Sequence, residues 1–155
     1  MTDFDHIDRQ ILAAVQCNAA QSLEAMAEDL SISTNTVWRR MKRLEDEGVI
    51  ARRVSIIDPL AIGLKQTVFV AIRTGNHSEE WLARLAEAIA DIPEIVEFYR
   101  MAGDVDYLAK IQCQDVAHYD RIYKRLIGKV ELSDISATFA MECLVNTTEL
   151  PLGHL

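Results

Sequence analysis

A chain of 155 residues, half of them hydrophobic, can bury a core and fits one ordinary domain or two small ones, which excludes a disordered chain. No stretch approaches the ~18 to 20 apolar residues of a membrane span, and the opening MTDFDHIDRQ lacks the basic-then-apolar order of a signal peptide, so the expectation is a cytoplasmic protein with no membrane partner. The net charge of -8 disfavours general adhesion to nucleic acid, yet Ser33 to Arg53 holds six basic against three acidic side chains, a local patch that can still dock on a duplex.

Ile7, Ile11, Leu12 and Val15 recur at helical spacing and predict a first helix from about Asp5 to Cys17. Ser22 is placed to cap a short second helix carrying Leu23, Met26, Ala27 and Leu30. Ser31-Ile32-Ser33 breaks the pattern, with Ile32 apolar enough to plug the corner, and Thr34 can cap a third helix to about Glu47 with Val37, Met41 and Leu44 inward. Gly48 supplies the stop. Three helices in this order make a helix-turn-helix. Val49 to Ile57 is β-branched and alternates with Arg52, Arg53 and Ser55, which predicts a strand or wing closed by Asp58-Pro59.

Residues 59–65 read as a linker. Beyond them Thr67 to Ile72 is strand-like, Ser78 caps a helix with Trp81, Leu82, Leu85, Ala86 and Ile89, and Pro93 marks the following loop. Ile95 to Ala102 and Tyr107 to Gln112 are two strands joined by a turn at Gly103-Asp104. A helix from about Val116 to Ile127 and a strand from about Ile135 to Leu144 complete the order β-α-β-β-α-β. The expected class is α+β: a winged helix-turn-helix over residues 1–58, and a ferredoxin-like βαββαβ domain over 66–155.

About 100° per residue around the third helix, Asn35, Arg39, Lys42 and Arg43 collect opposite the apolar arc, with Thr36 and Arg40 on the flanks. Arg suits the paired acceptors of guanine and Asn the adenine edge, so Arg39 and Asn35 are the expected base readers, while Lys, Ser and Thr suit phosphates. Ser33 and Thr34 stand at the helix N-terminus, where unpaired N–H groups favour a phosphate. The competing reading is that these cations only solvate the helix and pair with Glu45, Asp46 and Glu47. Trp38, beside the apolar arc, is expected to pack on the first helix rather than touch a base. Arg52 and Arg53 either touch the DNA backbone or face water.

Cys17, Cys113 and Cys143 show no C-x-x-C spacing and read as reduced packing residues. His6, His77, His118 and His154 are scattered, with no H-x-x-x-H or H-E-x-x-H pair, and Tyr99, Tyr107, Tyr119 and Tyr123 read as packing residues. No catalytic group, metal site or cofactor is expected.

The block Thr36-Val37-Trp38-Arg39-Arg40-Met41-Lys42-Arg43-Leu44-Glu45, ending in Glu47-Gly48-Val49-Ile50, resembles the recognition helix of the Lrp/AsnC (feast/famine) family. Ile7-Asp8-Arg9-Gln10-Ile11-Leu12 looks like that family's first helix, Gly103-Asp104-Val105-Asp106-Tyr107 is similar to its G-D-x-D-Y hairpin, and the ending Phe139 to Glu142 and Thr147 to Leu152 looks like an amino-acid-responsive subgroup, with cysteine or proline as weak effector pointers. The resemblance implies a regulator of transcription on double-stranded DNA, a homodimer paired through its sheet, higher oligomers such as octamers, and an amino acid or related metabolite as effector. It places that effector near Gly103, Asp104, Asp106 and Tyr107, with Met101 and Thr138 as neighbouring candidates. The chemistry is compatible: Gly103 admits close backbone approach, an Asp can pair with an ammonium, and exposed N–H groups can hold a carboxylate. The alternative at that spot is an ordinary turn in which Asp106 pairs locally. Two departures are visible: Ser33-Thr34-Asn35-Thr36 lacks the proline many relatives carry there, and Val130-Glu131-Leu132-Ser133 replaces a Pro-Gly pair. The competing functions are an architectural DNA-binding protein without effector control and, on the same fold, a tetrapyrrole-modifying enzyme.

Overall fold

In the computed structural model, which describes residues 4–155, the first helix, α1 (His6–Cys17), starts where two carboxylates stand three residues apart. Residues 1–3 of the expected N-terminal domain lie outside the described residues. The Asp5 side chain accepts from the Asp8 backbone N–H at 2.9 Å, and the Asp8 side chain accepts from the Asp5 N–H at 3.1 Å. This capping box satisfies donors that a helix start leaves orphaned. α2 (Leu23–Asp29) is capped by Ser22, whose Oγ accepts from the Ala25 N–H at 3.1 Å. The turn that follows places Ser31 at φ 54°, and the Ile32 N–H donates to the Ala27 carbonyl at 3.0 Å, folding Ile32 back against the core as expected.

The next helix, α3 (Thr34–Asp46), takes Ser33 rather than Thr34 as its N-cap: Ser33 Oγ accepts from the Thr36 N–H at 3.1 Å. Both hydroxyl residues suit a cap, and the bend at Ile32 puts the extended backbone a cap requires one residue earlier. Gly48, at φ 73°, ends the helix in a left-handed conformation that costs glycine little. Val37, Met41 and Leu44 pack against Ile11, Leu12, Met26 and Ala27, each contributing about 1.5 to 3 kcal/mol by burial. Two expectations fail here. Trp38 does not pack inward but is 54% exposed, because the arc of Val37, Met41 and Leu44 fills the space below α3. The run Val49 to Ile57 forms no strand; a lone extended segment has no ladder partner among the described residues.

The C-terminal unit is a four-stranded antiparallel sheet in the order β2-β3-β1-β4, where β1 is Gln66–Arg73, β2 Ile95–Arg100, β3 Tyr107–Cys113 and β4 Asp134–Phe139. Alternation along β1 buries Val68, Val70 and Ile72 under α4 (Glu79–Ala90) and α5 (Val116–Ile127), while Phe69 and Arg73 face away. The last strand is shorter than the expected 135–144, since its pairing with β1 stops at Val68–Phe139. Cys113 is buried, and burial pushes its thiol pKa up. Cys17 and Cys143 are exposed instead of packed: Cys17 ends a helix and Cys143 lies beyond the sheet.

The chain divides into two units, one comprising residues up to Ile56 together with Val145–Leu155, the other Ile57–Leu144. The last eleven residues, placed in the C-terminal domain by the sequence reading, thus group with the N-terminal helices. Gln16 and Leu150 exchange two hydrogen bonds, Leu150 N–H to Gln16 Oε1 at 2.7 Å and Gln16 Nε2 to the Leu150 carbonyl at 3.3 Å, and Leu152 and Leu155 pack on the helical core. Apolar side chains at the end of the chain reach apolar surface there, which no local pattern announces.

Candidate nucleic-acid interface

Asp8 is a carboxylate in the apolar arc of α1, three and four residues before Ile11 and Leu12, and is 1% exposed. A charge so placed needs partners. Arg40 of α3 reaches Asp8 Oδ1 at 2.9 Å and Asp5 Oδ2 at 2.6 Å, and Arg43 brings Nη2 to 2.6 Å from Asp8 Oδ2 as an ion pair without hydrogen-bond geometry. The backbone N–H of Asp8 and then the Arg40 guanidinium hold the Asp5 carboxyl below its usual range, and Asp8 followed by Asp5 raises Arg40. The α1 cap and two arginines of α3 therefore form one charge cluster, which fixes the rotation of α3 about its own axis.

That cluster divides the residues expected to face a duplex. Arg40 and Arg43 turn toward α1. Arg39 is exposed and, among the described residues, makes no ion pair, and Asn35 is likewise exposed. Lys42 is exposed but held by Asp46 at 2.7 Å, one helical turn on, and this hydrogen bond raises its pKa. Ser33 and Thr36 share a 2.8 Å hydroxyl contact at the helix start, with Thr34 between them. Trp38 lies on the same exposed side, three residues after Asn35 and four before Lys42. Arg53 pairs with Glu45, whereas Arg52 is exposed.

In the C-terminal unit the turn between β2 and β3 is tied down by backbone and side chain together. Gly103 adopts φ 136°, open only to glycine without strain, and the Met101 N–H donates to the Asp106 carbonyl at 2.8 Å. Asp106 Oδ2 accepts from the Thr74 N–H at 2.8 Å, and Arg73 donates from Nε to the Asp104 carbonyl at 2.7 Å while its Nη1 pairs with Asp134 at 2.9 Å. The structure brings Met101, Gly103, Asp104 and Asp106 together but not Tyr107 or Thr138. The Tyr107 ring is buried against Phe98 and Trp81, with centroids 5.5 and 5.9 Å away. Thr138 pairs with Phe69, four residues along β1 from Arg73, roughly 13 Å at the usual strand rise.

Among the described residues no group of three or more His, Cys, Asp or Glu is placed to hold a metal, and no helix is long and apolar enough to cross a membrane.

Residues 4–51 match the family model described as winged helix-turn-helix DNA-binding, and residues 67–150 match that of the Lrp/AsnC ligand binding domain. The chain belongs to the Lrp/AsnC family. The DNA-binding transcriptional activator DecR of Escherichia coli K12 is 45% identical over 96% of this chain and 98% of its own length. The crystal structure of an AsnC family transcriptional regulator from Agrobacterium tumefaciens superposes with a TM-score of 0.94 at 47% identity, covering 98% of this chain and 99% of that one. A Neisseria meningitidis transcriptional regulator, solved as its L-Met complex, shares the fold with a TM-score of 0.93 at 23% identity over 98% of this chain and 99% of that one. The α+β fold class stands, and the protein is a DNA-binding transcription regulator, not an enzyme.

Three residues that order the two candidate faces escape a reading of the sequence for site residues. Asp8 had a signal: a carboxylate in an apolar helical arc. Arg73 and Asp134 had none, because their pairing depends on β1 and β4 being neighbours.

Proposed function

We propose that this Lrp/AsnC regulator reads DNA with the face of α3 formed by Asn35, Arg39 and Lys42, and that Ser33 and Thr34 bring the helix N-terminus to a phosphate. What supports the reading is the contrast among the arginines: Arg40 and Arg43 turn to Asp5 and Asp8, and Arg39 alone of the three points outward without a partner among the described residues. Arg40 and Arg43 then orient the helix, and Thr36 buttresses its cap. Residues up to Ile56 act as the DNA-binding domain, and the βαββαβ unit as the effector-binding and assembly domain. Titration of the protein's own promoter fragment and of random DNA at one salt concentration, with and without each amino acid, tests this. Tighter promoter binding that an amino acid alters is the expected result, and equal affinity for both duplexes would make the protein architectural instead.

Lys42 must exchange Asp46 for a phosphate on docking. Lys42→Ala is therefore expected to weaken promoter and random DNA alike and to flatten the slope of log K against log salt by about one. A full salt titration measures this, and an unaltered slope removes Lys42 from the backbone contacts.

The effector is an amino acid or related metabolite, held at the hairpin of Met101, Gly103, Asp104 and Asp106. Supporting this are the match to the ligand binding domain and the L-Met bound to the Neisseria neighbour. Asp106 orders the turn through Thr74. Asp106→Ala is expected to cost about 1 to 2 kcal/mol of stability, the scale of an N–H left without its acceptor, and to abolish amino-acid binding while basal DNA binding persists. Calorimetry on the variant checks this, and normal ligand binding would exclude the hairpin.

The outer face of the sheet, opposite the one that α4 and α5 cover, carries Phe69 at 39% exposure and Tyr99 at 51%. Two copies pairing through this face would supply the two-fold symmetry that palindromic half-sites require, with assembly to octamers beyond. The protein works in the cytoplasm, where its DNA is.

A further inference from the structure

Trp38 is 54% exposed and stands outside the buried helical core. The α3 core contacts are complete without it, and single exposed apolar side chains are common enough that exposure alone indicates nothing. Its position is what matters. Trp38 is one helical turn from Asn35 and one from Lys42, so an exposed aromatic side chain stands at the edge of the polar stripe on the second helix of the helix-turn-helix. Charge complementarity points the same way. The neighbouring cations suit a duplex, and withdrawal of Arg40 and Arg43 onto Asp5 and Asp8 leaves few groups in the stripe able to discriminate bases.

We infer that Trp38 is a specificity-determining residue that packs its indole on the 5-methyl group of a thymine in the major groove, beside the base contacted by Arg39. The thymine methyl is the apolar feature of the major groove, and apolar side chains read it by contact. A phosphate contact would not select for an indole, which carries no charge and only one donor. The inference rests on the reading that α3 presents this stripe to DNA, and its test separates the two.

The full chain is titrated with the duplex it selects from a random-sequence pool, then with versions in which each thymine in turn is replaced by uracil, removing only the methyl. Wild type is expected to lose affinity at one or two such positions. Trp38→Ala should bind the selected duplex on the order of tenfold more weakly, the scale of a single lost base contact, be insensitive to uracil at those positions, and keep the wild-type salt slope. Trp38→Phe should keep part of the uracil effect, which guards against a misfolded alanine variant. Tryptophan emission gives a second readout: Trp81 is 1% exposed, so a DNA-induced change reports Trp38. If Arg39→Ala weakens binding while Trp38→Ala binds as wild type, or if no uracil position depends on Trp38, the indole contact is overturned and the reading face stands. If neither substitution matters, both fall. An emission change on dimerisation alone, with none on adding DNA, assigns Trp38 to a subunit contact and also overturns the inference.

Discussion

Asp8→Ala is expected to destabilise the N-terminal unit by about 3 kcal/mol and to weaken DNA binding with it. The carboxylate is 1% exposed and lies against two guanidinium groups. Removing one member of a buried charge cluster leaves the others desolvated and unpaired, which costs ~3 to 5 kcal/mol where burial is complete. The lower end applies because Arg40 keeps Asp5 and part of Arg43 faces solvent. The Asp8 side chain also accepts from the Asp5 N–H, so half of the α1 capping box goes too. Urea denaturation followed by far-UV circular dichroism measures the loss. Arg43→Ala should show a smaller loss because Asp8 keeps Arg40. Wild-type stability in Asp8→Ala would mean that the cluster does not hold α3 in place.

Arg39→Ala is expected to leave stability unchanged and to weaken binding of the selected duplex by roughly 1 to 3 kcal/mol, about 5- to 150-fold, with relaxed preference at one base pair. Arg39 is exposed and, among the described residues, makes no ion pair. Its removal therefore subtracts a binding contact and nothing from the fold. Quantitative footprinting across single-base variants of the duplex measures both effects, and unchanged affinity and preference would show that Arg39 is not a reader. The pair of substitutions separates holding the helix from reading with it: stability changes at Asp8, specificity at Arg39.

Much of the fold was legible because its signals are local. Helical periodicity located α1, α2 and α3, the Ser22 and Ser78 caps stand where expected, and the β-α-β-β-α-β order emerged from strand-like runs and turn residues. What stayed hidden depends on contacts between distant residues. The alternation of Val49 to Ile57 suggests a strand, but a strand exists only with a partner, and periodicity cannot supply one. The docking of Leu150 to Leu155 on the N-terminal unit joins residues more than a hundred positions apart. On α3 the periodicity gathers the outward cations opposite the apolar arc, but a wheel treats every outward cation alike. Only the position of Asp8 on α1 distinguishes Arg40 and Arg43, drawn aside, from Arg39, left outward. Tyr107 carried two readings, a packing residue and an effector contact beside the turn, and strand alternation directs its ring into the core beneath the sheet, in line with the first.

The most direct test is a crystal structure of the protein bound to the duplex it selects. The expected result is α3 in the major groove, the Arg39 guanidinium within hydrogen-bond distance of a guanine edge, and Arg40 and Arg43 still on Asp5 and Asp8. A complex in which α3 lies away from the duplex, with Arg39 in solvent, would contradict the account.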